Sequence, residues 1–531
     1  MTTITPYRSD QRAGPDGFAQ LLHAEWTKFR TVRGWVIGMI VAVVVAAGIG
    51  LLAAGASSSS CQVGGGPVRS GAGCMPTFPL GPGGEPVTDS FYFVHQPLTG
   101  DGTITVRVTS LIGLVPPANP ADYGPQGPTP SQPGLEPWAK AGIIIKQNTN
   151  QGSPYAAMMV AARHGVRMQW NYTGDTPGLP GTVGPASPRW LRLTRAGDVI
   201  TGYDSADGAH WAQVGAVTLS GLPSAVQGGL FTASPDYDQE SQNFGGGVNG
   251  GGGPTQATAV IDHLSGLGGS RTGAYIGAGD ASGIGGYHLA GGRFTVTGSG
   301  DIALVPAGHG GPADAAATLT GYLLGTFAGL IALAVVATMF MTAEYRRNLI
   351  RVTLAASPRR GRALAAKAIV IGAVSFVIGL VGAAVAVLAG TAITHARGYY
   401  EFPVPGPAEV RVIIGTAALA AVSAVLALAV GTMVRRSAAA VAIVIVAIVL
   451  PYFLAVAAVV PLGAADWLLR ITPAAGFAVQ APYPRYPQVE AIYSALSGYY
   501  PLGPWAGLAV LCGWAAVALA GATVLLRHRD A

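Results

Sequence analysis

Trp35–Ala54 reads WVIGMIVAVVVAAGIGLLAA, an uninterrupted apolar run with no charged residue. About 20 such residues in a helix match the roughly 30 Å hydrocarbon thickness of a bilayer. Five more runs of this kind follow: Ala315–Met341, Leu364–Thr394, Val410–Val434, Ala438–Val460 and Pro504–Leu526. Of the 531 residues 50% are hydrophobic and 11% charged, with mean hydropathy +0.42, whereas soluble domains carry about 25% charged residues. That composition excludes a disordered chain, a coiled coil and a nucleic-acid-binding domain. The first run follows a largely polar segment and has no convincing cleavage site, so it is expected to be a retained helix and not a signal peptide.

Charge orients the six spans. Arg8, Arg12, Lys28, Arg30 and Arg33 precede the first; Arg346, Arg347, Arg351, Arg359, Arg360, Arg362 and Lys367 follow the second. Arg435 and Arg436 follow the fourth span, and Arg527 and Arg529 the sixth. Only Asp10, Asp16, Glu25, Glu344 and Asp530 oppose them on that side, so the overall charge of +6 divides into +11 on one side and −5 on the other. Basic residues in short loops stay in the cytoplasm, which predicts both termini inside and the long segment between spans one and two outside. Cys61 and Cys74 fall in that outer segment and are expected to pair as a disulfide worth about 3 kcal/mol; two unpaired thiols in a flexible linker are the alternative. Cys512 reads as a packing residue in the sixth span.

After a Ser/Gly-rich linker (residues 55–84) the sequence becomes strand-like. Phe91–Val94, Thr103–Val108, Ala141–Ile145, Val166–Trp170, Trp190–Leu193, Val199–Tyr203 and Ala257–Ile261 are short alternating or β-branched pieces between turn residues, the pattern of an antiparallel sandwich. The glycine run Gly245–Gly253 reads as a flexible loop, with no strand-then-helix context for a phosphate cradle. Residues 267–314 read as a Gly-rich stalk that carries one more strand-like piece, Arg293–Thr297. FYFVHQPLTGDG (Phe91–Gly102), PWAKAGIIIKQNT (Pro137–Thr149), SPRWLRLTRAGD (Ser187–Asp198) and YDSADGAHWAQVG (Tyr203–Gly215) resemble concanavalin-A-like (laminin-G-like) jelly-roll domains. The likeness includes the D-G-x-x-W turn at Asp207–Trp211 and extends over residues 85–266. It implies a two-sheet sandwich that binds carbohydrate or another extracellular polymer. Trp170, Tyr172 and Trp211 are the candidate ligand-binding aromatics, core packing being the competing reading. No alternating carboxylate set suits glycan hydrolysis, and the nine His show no metal-ligand spacing, so neither a catalytic nor a metal site is expected.

Two basic segments remain. Gly17–Arg33 (GFAQLLHAEWTKFRTVR) spaces Phe18, Leu21, Leu22, Trp26 and Phe29 helically beside Lys28, Arg30 and Arg33, as in an amphipathic helix lying at the membrane interface; an extension of span one with snorkelling bases fits the same spacing. Met341–Lys367 (MTAEYRRNLIRVTLAASPRRGRALAAK) is strongly basic and broken at Ser357–Pro358. LLHAEWTKFRTVR together with TAEYRRNLIRVTLAASPRRGRALAAKA resembles the bacterial ABC-2 type transporter permeases. That resemblance implies an α-helical polytopic protein of six transmembrane helices in the bacterial plasma membrane, here with an all-β jelly-roll inserted between helices one and two. It also implies an interfacial helix (Glu25, Trp26, Lys28, Arg30), a coupling segment that docks on an ATP-binding subunit (Glu344, Tyr345, Arg346, Arg347, Leu349, Arg351) and a re-entrant piece within residues 461–503. Partner permeases, as a homodimer or heterodimer, follow from the same likeness. The chain has no G-x-x-x-x-G-K-[ST] string, so it carries no cofactor of its own, and ATP and Mg would sit on the partner. No ionisable group lies deep in a span, which points away from ion-coupled transport. The competing readings are a membrane-anchored polymer-binding sensor on a permease scaffold and, more remotely, an anchored hydrolase.

Overall fold

The computed structural model describes residues 17–56, 60–61, 69–70, 78–117, 129–243, 247–277, 284–308, 317–346, 360–457, 459–489, 491 and 493–528. Among them six helices are long and apolar enough to cross a membrane. The first span is Arg33–Ala56; the second begins as a single turn, Leu319–Tyr322, and resumes as Thr326–Arg346. Spans three to six are Arg360–Ala396, Gly406–Val434, Ser437–Val456 and Pro504–His528. Span four is the hub, packed against spans two, three, five and six, while span one lies outside against spans two and three. Its Ala42, Ala46 and Gly50, four residues apart, meet the broken start of span two. A Cβ at Gly50 would collide with the Tyr322 carbonyl, and one at Gly325 with the Ala46 carbonyl. Backbones approach this closely only where side chains are absent, the usual way apolar helices associate in lipid.

The N-terminal helix, Phe18–Thr31, is separate from span one, because Val32 is extended (φ −87°, ψ 98°). After span five, a short helix (Leu462–Ile471) leads into a 3-10 helix (Pro473–Gln480), every residue of which is buried, packed on spans four, five and six. Side chains tie it to the spans: Arg411 Nη2 donates to the Ala481 carbonyl at 2.6 Å, and Gln480 Nε2 donates to Thr326 and Thr416 Oγ1, both at 3.2 Å. Irregular backbone at such a place is tolerated when protein, and not lipid, surrounds it.

Between spans one and two the chain builds two antiparallel sheets. The first runs in spatial order Gly174–Pro177, Gly165–Trp170, Tyr155–Ala161, Lys140–Lys146, Ala225–Ala233, Phe91–Thr99 and Thr272–Ile276. The second runs Ala212–Thr218, Val199–Ser205, Arg189–Ala196, Gly102–Val115, Gln256–Ser265, Arg293–Gly298 and Gly286–Ala290, with Gln132–Pro133 beside Gly102–Val115. The period of two turns Ile104, Val106, Val108, Leu191, Leu193, Ala257 and Ala259 toward Ile143, Ile145, Met158 and Leu230 of the first sheet, all fully buried. The eight strand-like pieces of the sequence all lie in these sheets. The expected stalk does not begin at residue 267, since Thr272–Ile276, Gly286–Ala290 and Arg293–Gly298 complete the sheets. Most of the glycine run is also strand: Gly247–Gly253 pairs with Tyr237–Asn243, because a glycine backbone keeps its hydrogen-bonding groups and a partner strand supplies the order its own sequence lacks.

The first sheet is covered on its outer side as well. A short ladder formed by the incoming strand Val87–Asp89 and the outgoing strand Ile302–Leu304 lies on Phe91, Phe93, Ile144, Tyr155 and Phe231, and Val489 from the segment between spans five and six joins the same cluster. Gln488 Nε2 donates to the Thr173 carbonyl at 3.1 Å. Below it, Ala307, Phe402, Tyr483 and Tyr499 form a further apolar cluster in which Tyr499 Oη accepts from Ala307 N at 2.9 Å. The sandwich therefore sits on the span-bearing part through its first sheet, and its second sheet faces away.

Candidate functional site

At the end of the helical bundle farthest from the sandwich, four charges meet. Leu22, Glu25 and Phe29 lie on one face of the N-terminal helix by their spacing of three and four, and that face packs inward; Glu25 and Phe29 are buried. Glu344 comes from the last turn of span two and Lys367 from the second turn of span three. Lys367 Nζ donates to Glu25 Oε2 at 2.7 Å and to Glu344 Oε1 at 2.6 Å. Lys28 Nζ closes the ring, donating to Glu25 Oε1 at 2.9 Å and to Glu344 Oε1 at 3.2 Å. Two cations and two anions balance, so the cluster carries no net charge.

Its floor is aromatic. Lys367 Nζ lies 4.9 Å from the Phe340 ring centroid, and Phe340 meets Phe29 and Trp35 edge-on at 5.8 and 5.0 Å, so cation–π attraction and ring packing hold the lysine. Lys367 is 1% exposed, and the Lys28 side chain 42%. Burial pulls the Lys28 pKa down, yet Glu25 and Glu344 outweigh it and leave the group raised. Glu344 Oε2 is buried without a partner among the described residues.

Each residue expected here can now be placed. Glu25 and Lys28 belong to the cluster, whereas Trp26 (43% exposed) and Arg30 point away from it; the helix thus divides its residues between a buried polar contact and a free face, which the apolar spacing did not reveal. Glu344 is not a surface residue waiting for a partner. It is turned inward, because Lys367 and Lys28 offer it charge compensation that a buried carboxylate requires. Tyr345 is half-buried, its ring 5.0 Å from the Arg435 guanidinium at the end of span four. Arg346 ends the span, and Arg347, Leu349 and Arg351 lie outside the described residues. Lys367, counted in the sequence as one of the loop's basic residues, is the centre of the cluster. Its position seven residues after Arg360 in a basic run concealed this; only the approach of Glu25, 342 residues away, explains it.

The sandwich holds a second charge cluster. Lys140 and Lys146, at the two ends of one strand, are both fully buried. Lys146 Nζ donates to Asp89 Oδ2 (2.7 Å), Tyr172 Oη (3.2 Å) and the Ser153 carbonyl (3.1 Å). Tyr172 Oη and Gly152 N also donate to Asp89 Oδ2, at 2.6 and 2.8 Å. Lys140 Nζ pairs with Asp301 Oδ1 at 2.6 Å and donates to the Ile302 carbonyl. The incoming and outgoing strands are each pinned by one lysine of the same strand. Burial lowers the Lys146 pKa against the pull of Asp89, and burial followed by Asp89 pushes Tyr172 far up.

Tyr172 is consequently a structural residue, 2% exposed, and not a ligand platform. Trp170 is half-buried against the sandwich core. Trp211 is half-exposed beside the second sheet, its Nε1 donates to the Gly208 carbonyl at 3.1 Å, and the Arg192 guanidinium stacks 3.7 Å from its ring centroid. The turn before it is held by Asp207, which accepts from Ala209 N, His210 N and Ser205 Oγ and contacts His210 Nδ1; His210 above all keeps that carboxyl well below the usual range. Sequence reading missed Trp190, Tyr203 and Arg192 on the same outer face. Alternation along Arg189–Ala196 and Val199–Ser205 was the available signal. Cys74 lies outside the described residues, as does the Cys61 side chain, and the expected disulfide with it.

No family model matches the chain, and no curated protein does. Among solved structures it is similar to a functionally unknown protein from Saccharomyces cerevisiae, at 15% identity over 34% of this chain and 76% of that one, TM-score 0.20. Scytalido-glutamic peptidase with a transition-state analogue inhibitor matches at 9% identity over 41% of this chain and 100% of that one, TM-score 0.23. A mutant GH43 protein from Bacillus licheniformis matches at 15% identity over 25% of this chain and 24% of that one, TM-score 0.16. At these TM-scores none bears on function.

Proposed function

We propose that the chain is the membrane-spanning subunit of an ATP-driven exporter of the ABC-2 type. It would work with a separate ATP-binding subunit and pair with a second permease, identical or different, with both termini and residues 347–359 in the cytoplasm. The sandwich, read as a concanavalin-A-like jelly roll, would lie outside as a ligand-binding module. One observation carries this reading: Lys367 ties the N-terminal helix, the end of span two and the start of span three, which flank residues 347–359, into a single charge cluster. A displacement of residues 347–359 by a docked partner would then move spans two and three and the N-terminal helix together. The partner would supply nucleotide chemistry; this chain would supply the lever and the pathway. The buried Pro473–Gln480 segment, wedged against spans four and six, is consistent with a body that rearranges as a unit.

Affinity purification of the full chain from its native membrane tests the reading. We expect a P-loop ATPase to co-purify, and Glu344→Gln to weaken the dependence of ATP hydrolysis on this chain more than Tyr345→Phe does. If no ATPase co-purifies, the polymer-binding sensor becomes the better reading. Protease added to intact cells should cut within the sandwich and spare the tail at Ala531; the reverse pattern would invert the orientation.

A further inference from the structure

The second sheet presents its outer face away from the span-bearing part, and that face has a definite chemistry. Thr201, Thr194 and Thr103 are cross-strand neighbours in one row, the last two with hydroxyls 3.1 Å apart. The next row is Tyr203, Arg192 and Thr105, and the one after it contains Trp190, Arg107 and Asp262. Arg107 is neutralised by a two-pronged pair with Asp262, Nε and Nη2 each at 2.8 Å. Arg192 is not. Its Nε donates to Thr105 Oγ1 at 3.2 Å and its plane stacks on Trp211, while its two terminal nitrogens have no hydrogen-bond partner among the described residues.

A guanidinium fixed from below by an indole and from the side by a hydroxyl has lost most of its rotamer freedom before any ligand arrives. Its remaining edge is a planar two-donor fork, the shape that a carboxylate matches. Around it the face offers threonine hydroxyls and partly exposed indole and phenol rings, which suit hydroxyl-rich, flat-faced rings. With Arg107 neutralised by Asp262, Arg192 is the one open cation of these three rows, which fits a polymer of low charge density better than a dense polyanion. We propose that this face binds a carboxylate-bearing polysaccharide, with Arg192 receiving a sugar carboxylate and Trp211 holding Arg192 in place. The proposal rests on reading the sandwich as a ligand-binding module and names its site and ligand class.

The test uses the purified full chain in detergent with polygalacturonate, uncharged dextran and inorganic polyphosphate as probes. Polygalacturonate should bind, and Arg192→Gln should weaken it at least tenfold, with Trp211→Ala close behind. Arg163→Gln, which removes the same charge from a turn of the first sheet, should change nothing, and equal melting temperatures of the two arginine variants would show both folded. If dextran or polyphosphate binds as tightly as polygalacturonate, or Arg192→Gln behaves like Arg163→Gln, the carboxylate assignment is wrong while the binding-module reading stands. If none of the three polymers binds, both fall.

Discussion

The two buried charge clusters use the same ingredients and differ in how they meet water. In the sandwich, Asp89, Lys146 and Tyr172 are all dry, and backbone groups of Gly152 and Ser153 add hydrogen bonds to the pair. At the far end of the bundle, Glu25 and Lys367 are equally dry, but Lys28 reaches solvent and joins the other three from the rim. Breaking a buried pair leaves an uncompensated charge, whichever cluster it belongs to. Exchange of partners, by contrast, is possible only where a solvated group can replace a lost one. The sandwich cluster is therefore a fixed joint that fastens the two strands leading to the spans. The cluster at the bundle end is a joint with one replaceable arm, placed where span two ends and span three begins.

The sharpest way to break this contrast is Lys367→Met, which leaves Glu25 and Glu344 to share Lys28 as their one remaining cation. We expect a loss of about 3–5 kcal/mol, read as a lower melting temperature in detergent, together with early proteolysis of the N-terminal helix. A variant with wild-type melting would refute the central role of Lys367. Next, Tyr172→Phe removes one charged hydrogen bond from Asp89 and should cost about 1.5–3 kcal/mol. Hydrogen exchange should rise in Val87–Asp89 and leave the N-terminal helix untouched. Loss of polymer binding at unchanged stability would instead restore Tyr172 as a ligand platform.

Gln480→Leu deletes the amide that joins the 3-10 segment to Thr326 and Thr416, for about 1 kcal/mol; faster exchange confined to residues 473–480 is the expected mark. A pH scan separates the two joints further. Lys28 has its folded pKa raised above the ordinary lysine value of 10.5, so its stabilising contribution is complete below the unfolded value and disappears as pH rises through the folded one. Tryptic release of the N-terminal helix should therefore begin only above pH 10.5, and release at neutral pH would contradict it. The smallest effect belongs to Trp26→Ala. An exposed side chain on the free face of the helix should change stability by less than about 0.5 kcal/mol, while Phe29→Ala, one position in the same ring stack, should cost about 3–5 kcal/mol.

The fold was largely legible because its signals are local. Runs such as Trp35–Ala54 and alternations such as Thr103–Val108 follow from the helix repeat and the strand repeat. Tyr155–Ala161 escaped notice because it is buried on both faces and shows no alternation, and Ala225–Ala233 because its two glycines interrupt the pattern. The candidate sites were legible only in part. Glu25, Lys28 and Glu344 stand out in the sequence, but as residues exposed to lipid or to a partner; Lys140, Lys146 and Lys367 do not, because lysine in sequence reads as surface. Nothing near Lys367 in the chain distinguishes it from Arg362, since its partners arrive from the N-terminal helix and from span two.

What the sequence determined alone is the inventory: six apolar helices, a β-rich insert between the first two, and the sides on which positive charge accumulates. Each depends on solvation of a short stretch of chain, so neighbours in sequence suffice. Which charges are buried, which sheet rests on the spans and which looks outward, and which arginine keeps an open edge were decided in three dimensions. Electrostatic pairing in a dry interior depends on distances between residues far apart in the chain, and no local pattern encodes them.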